Sequence, residues 1–237
     1  MGINWLAVAI SALFLVFIFN GWHKGFLKII ISFAGTIVIL IAVAVLSPKV
    51  SRYVTENTEI YERTRYKVIS VFLEKLSDEK EKKLSGDDGI SNKGKDRFLD
   101  DLNIPEIMKS DLIEKNASEM YQALLTTVFR DYISVYITKL IINAGSFVGV
   151  YIALSVLLWL IVKSSDIISK IPVIKGLNKL LGGLTGAAQA LIIVWIFFLV
   201  IIMFLGNEIG GKLLKDVQAS EFLTYLFNNN YLFRFIS

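Results

Sequence analysis

The 237-residue sequence predicts an all-α, polytopic membrane protein with four transmembrane helices and a mostly helical extramembrane insertion between the second and third. Three observations carry this expectation. Hydrophobic residues make up 54% of the chain and charged residues 19%, too apolar a balance for a soluble domain of this size. Four stretches, 1–23, 29–48, 140–162 and 180–207, contain no Asp, Glu, Lys or Arg, and each reaches the ~20 residues that a bilayer core requires. Residues 49–139 instead hold 16 Lys+Arg and 17 Asp+Glu, a density of charge that hydrocarbon excludes.

The spans are placed near 4–22, 27–47, 141–162 and 182–206. The first has no basic residue before Trp5, too long an apolar run for a signal peptide and no small-residue cleavage site after it, so it is expected to stay in the protein. Four domains follow: a hairpin of helices 1 and 2 over 1–48, an extramembrane loop 49–139, a second hairpin over 140–207, and an amphipathic tail 208–237. In the loop, Ile69, Phe72, Leu73 and Leu76 share one helix face, and the polar, glycine-containing stretch 77–97 is a linker. Pro105 can open another short helix. From Met120 through Leu124, Val128, Tyr132 and Tyr136 the apolar spacing runs unbroken into the third span, which predicts a helix projecting beyond the membrane. Within the second hairpin, Ile167, Ile171, Ile174 and Leu181 against Lys170, Lys175 and Lys179 predict an interfacial amphipathic segment over 164–181, its lysines facing anionic lipid heads.

Orientation follows from charge. Lys24 and Lys28 separate the first two spans, and Lys163, Lys170, Lys175 and Lys179 against Asp166 separate the last two, so these short loops are expected inside and the termini and 49–139 outside.

The absence of Cys removes thiolate chemistry, and a single His removes most catalytic triads and histidine metal sites. His23 is read as an interfacial imidazole. The string from Gly206 to Lys212 resembles a phosphate loop, but Leu213 stands where Ser or Thr must hold magnesium, and no strand precedes it. The sequon Asn116-Ala117-Ser118 and the acidic runs at 79–81 and 87–88 are read as chance and as solvated surface. No charge lies deep in a span, which argues against a pump. No enzyme activity, cofactor, metal or nucleic-acid partner is expected; the lipid bilayer, other membrane proteins or self-association are.

Small residues mark helix packing. Gly145, Gly149 and Ala153 in the third span, and Gly182, Gly186 and Ala190 in the fourth, recur every four residues and are expected to face each other. Thr185, Gln189, Ser146 and Ser155 supply polar groups for hydrogen bonds between helices.

Four segments, taken together, resemble the colicin V production (CvpA) family of bacterial inner-membrane proteins. They are Asn4-Trp5-Leu6, the turn from Gly21 through Lys24, Gly25 and Phe26, the run from Pro172 through Asn178, Gly182, Gly183 and Gly186, and the tail from Ser220 to Asn230. The resemblance spans about 1–47 and 163–235. This chain departs from the family in having Ala7 where Asp is common and Gln189-Ala190 where a basic residue and Gly are common. The resemblance implies a multi-pass protein linked to production or export of a peptide toxin and to envelope integrity, with no established reaction. The leading expectation is therefore a non-enzymatic scaffold or accessory factor. The alternatives are a small oligomeric channel or passive transporter, and a membrane anchor that recruits a protease.

Overall fold

The protein, a computed structural model, is described at residues 4–70, 104–111, 129–163 and 177–237, without the side chains of 27, 28, 129–132, 162, 163 and 177. Among these residues the fold is helical and contains no strand. Four helices are long and apolar enough to cross a membrane, and the chain is a multi-pass membrane protein.

Helix α1 (Trp5–Lys24) starts where the Asn4 side chain accepts a 3.0 Å hydrogen bond from the Ala7 amide, supplying one partner to the open first turn. It ends at Gly25, whose φ of 77° lies in the left-handed region that a side chain disfavours. Helix α2 (Phe26–Asn57) begins at the next residue. The second span was expected to stop at 47, but α2 runs ten residues further, straight through Pro48. Proline removes one donor from the helical ladder while Lys49, Val50 and Ser51 keep theirs, so the helix resumes after a local loss. The start of the expected loop 49–139 is thus helix, followed by α3 (Ile60–Val68). Residues 106–111 form a short helix behind Pro105, as the proline predicts. Helix α4 (Phe129–Lys163) begins before its charge-free run at 140, and the earlier part of the expected projecting helix, 120–128, lies outside the described residues. Helix α5 (Leu177–Met203) starts five residues before the expected 182, so 177–181 is helix continuous with the fourth span. Residues 164–176, the helix face at 72–76 and the linker 77–97 lie outside the described residues.

The tail folds into α6 (Glu208–Gln218), α7 (Glu221–Asn228) and a 3-10 turn (Tyr231–Phe235). Its amphipathic character is realised: Leu214, Val217, Leu223, Phe227 and Phe233 are buried, while Lys215, Asp216 and Glu221 are exposed.

The chain divides into two compact units whose limits cut across the four expected domains: Met1–Ser51 with Gly145–Val200, and Arg52–Ala144 with Ile201–Ser237. In the first, Val43, Phe147, Ala190, Phe198 and Leu199 are fully or nearly fully buried, whereas Leu15, Val38, Ile41, Val156 and Leu160 are exposed, as expected of helices solvated by lipid. The second has a denser side-chain core of Met108, Ile133, Ile137, Leu140, Ile202, Leu205, Phe227 and Phe233. Polar pins hold it. The Tyr136 hydroxyl reaches the Met108 carbonyl at 3.1 Å and an Asp111 carboxylate oxygen at 3.0 Å, and Asn143 Nδ2 donates to the Ile236 carbonyl at 2.6 Å. The tail's Ser-x-x and Asn-rich ends have local tasks: Ser220 caps α7, Asn228 Oδ1 accepts from the Ile107 amide, and Asn230 Oδ1 accepts from the Leu232 amide.

Candidate functional site: a glycine-sealed helix crossing

In the first unit, two of the segments that carry the family resemblance meet. The end of α1 and the start of α5 run antiparallel and touch at three levels, each four residues from the next. Gly25 lies against Asn178, Gly21 against Gly182, and Phe17 against Gly186. A four-residue step is close to one helical turn, so each helix presents a single narrow stripe to the other.

The contact is backbone on backbone. A Cβ at Gly182 would collide with the Gly21 carbonyl oxygen and stand 2.9 Å from the Phe26 amide nitrogen and 3.0 Å from the Gly25 carbonyl carbon. One at Gly186 would collide with the Phe17 carbonyl oxygen and lie 2.9 Å from its carbon. Gly21 is equally closed, by the carbonyl of Gly182. No flexible side-chain end is available to give way here. Helix carbonyls facing Cα–H groups at such an approach also gain weak hydrogen bonds that larger residues would preclude. At the Gly25–Asn178 level, a Cβ at Gly25 would fall 2.6 Å from Asn178 Nδ2, so the residue is held to glycine both by its dihedral and by the neighbouring amide.

Around this seam the other predicted residues take different positions. Gly183 adjoins the seam, with Trp22 and Ile18 at ordinary van der Waals distance from where its Cβ would be. Phe26, half-buried, opens α2 beside Gly182. Lys24 and Lys179 are exposed, each next in sequence to a member of the Gly25–Asn178 level. His23 is exposed and stacks on Phe19, ring centroids 4.4 Å apart. Lys170 and Lys175 lie outside the described residues. Gln189 Nε2 donates to Ser32 Oγ at 3.4 Å, a hydrogen bond between α5 and α2, while Thr185 turns back onto the Leu181 carbonyl at 2.8 Å.

The expected pairing of the third- and fourth-span stripes is corrected. Gly182 and Gly186 are packed, but on α1. Gly149 has nothing within 4 Å of a Cβ position, and Ala153 is exposed. Gly145 is half-buried and Ala190 fully buried. The physical reason is that small residues make a helix approachable without specifying which neighbour approaches. The partner stripe was nonetheless present in the sequence as Gly21-x-x-x-Gly25, the same small-residue spacing one helix earlier.

The phosphate-loop lookalike is a turn followed by the first residues of α6, with Gly210 pressed on the Phe204 carbonyl. No group of three or more metal-ligating side chains occurs among the described residues. Compared with protein-family models, curated proteins and solved structures, the chain matches none.

Proposed function

We propose that this chain is a non-enzymatic scaffold or accessory protein of the bacterial inner membrane, of the colicin V production type. It would serve toxin production or export and envelope homeostasis through contacts with lipid, with other membrane proteins or with its own copies. One observation carries the reading: Gly21, Gly25, Asn178, Gly182 and Gly186, the residues behind the resemblance, are used to hold α1 against α5. Residues committed to backbone contact position helices; they offer no nucleophile and no acid–base pair. The lysines on the loops between spans set the orientation, with the termini and the charged 49–139 region outside.

Restoration of a deletion strain's phenotype is the test. Replacing Lys170, Lys175 and Lys179 together with Gln should weaken function while leaving the helices folded, since each lysine near an anionic leaflet contributes roughly 1 kcal/mol. His23→Ala should retain function. Full activity of the triple variant combined with loss in His23→Ala would overturn the reading, and ion conductance by the purified protein in liposomes would select the passive channel instead. Because the chain lacks cysteine, single cysteines at Ser91 and Lys175 report orientation: an impermeant reagent should label the first and spare the second in intact cells.

A further inference from the structure

The end of the tail returns to the level at which two spans leave the membrane. In α4 the last charge before the span is Lys139, and Asn143 lies about one helical turn, or about 6 Å, further toward the hydrocarbon. In α5 the first charge after the span is Glu208. The two helices agree on the level of this edge, because a Cβ on Gly206 would lie 3.7 Å from Ile141 Cδ1. Two residues past Ile141, Asn143 Nδ2 donates to the Ile236 carbonyl at 2.6 Å. The tail therefore leaves α5 at the edge and is pinned to α4 there again at its far end, and both attachments lie within the second unit.

The pinned 3-10 turn has two unlike sides. Leu232, Phe233 and Ile236 are buried, whereas Tyr231 is 62% and Phe235 51% exposed. Arg234 is also exposed, and its guanidinium carbon stands 5.8 Å from the centre of the Tyr231 ring, within cation–π range. At about 2 Å per residue the turn is about 10 Å long, so Phe235, next in sequence to the pinned Ile236, is held at the edge and Tyr231 stays close to it. The polar layer on either side of the hydrocarbon is about 5–8 Å thick. A side chain exposed at the level where spans emerge borders the lipid around those spans. Aromatic rings and arginine suit that layer, because each buries an apolar body while its polar end stays hydrated.

We infer that the turn Tyr231–Phe235 is a membrane-interface anchor. Its occupant is the bilayer that holds the spans: the Phe235 ring enters the acyl boundary beside the start of α4 and the end of α5, and Tyr231 and Arg234 lie in the headgroup layer of the same leaflet. The anchor rests on the spans and is independent of the scaffold role proposed above.

The cysteine-free chain makes the depth of the turn readable. Phe235→Cys and Tyr231→Cys are compared with Ile152→Cys, an exposed position near the middle of the charge-free run 140–162. Each full-length variant carries a bimane on its cysteine and is reconstituted in phosphatidylcholine vesicles. A fixed fraction of the lipid bears a nitroxide on the headgroup, high on the acyl chain or at the chain end. At 235 and 231 the headgroup and upper-chain nitroxides should quench several-fold more strongly than the chain-end one, and at 152 the order should reverse. Escape from all three nitroxides at 235 or 231 overturns the anchor, because the turn then faces water or protein. Equal quenching by the three, or the order seen at 152, overturns it as well, because the turn then has no interfacial depth. All three positions are more than half exposed, and far-UV circular dichroism and elution in detergent verify that the variants fold.

Discussion

In the unit of α1 and the start of α5, helices meet through bare backbone, with Gly182 against the Gly21 carbonyl and Gly186 against that of Phe17. In the unit that includes the tail, contact is made by large side chains such as Phe227, Phe233 and Met108, tied by hydrogen bonds from Tyr136 and Asn143. The charge differs in parallel: seven Lys+Arg and one Asp+Glu in the first unit, 18 and 20 in the second. In lipid, burying a leucine against a neighbouring helix gains little over leaving it among acyl chains, so association relies on close packing that small residues permit. Where water is the alternative, burial of the same leucine contributes on the order of 2 kcal/mol, and bulky cores are favoured.

Substitutions that add volume should therefore separate the units most strongly. Gly186→Leu or Gly182→Leu is expected to cost on the order of 3 kcal/mol or to prevent assembly, while Gly149→Leu, with open space before it, should change little. Thermal unfolding in detergent followed by circular dichroism ranks them; equal tolerance at the three positions would break the comparison. Next in size is the loss of polar pins in the second unit. Tyr136→Phe removes bonds to Met108 and Asp111 and should cost about 1–2 kcal/mol, read from the shift of the unfolding midpoint. Asn230→Ala, which deletes a buried cap on the final turn, should cost about 1 kcal/mol and first raise amide exchange at 231–237. The smallest effect belongs to Glu59→Gln. Its 2.8 Å ion pair with Arg63 joins side chains 80% and 77% exposed, and its loss should fall within experimental error.

The four spans were legible because a run of residues without charge is decisive in itself, independent of neighbours. The ends were less so. Pro48 marks a weakened helix position, and only the intact donors after it determine that α2 continues to Asn57. Of the candidate site, Gly25, Asn178, Gly182 and Gly186 could be named from sequence, but their pairing could not. Glycine has no side chain whose shape or charge points to a partner, so the choice between α1 and α4 is made by the turn at Gly25 and by tertiary geometry. The roles of Ser220 and Asn230 as caps could have been found from their places before apolar runs; that of Asn228 could not, since its partner Ile107 is 121 positions away.

Finally, α1 ends at Lys24 and α2 begins at Phe26, leaving Gly25 as the whole joint. A joint of one residue stores no slack. Its amide still closes onto the Gly21 carbonyl at 2.9 Å, and its own carbonyl receives the Ile29 amide at 3.3 Å, so the hydrogen-bonded chain passes from one helix to the next almost without interruption. The two rods therefore act as a bell crank: a torque that rolls α1 about its axis is delivered to α2 rather than absorbed between them.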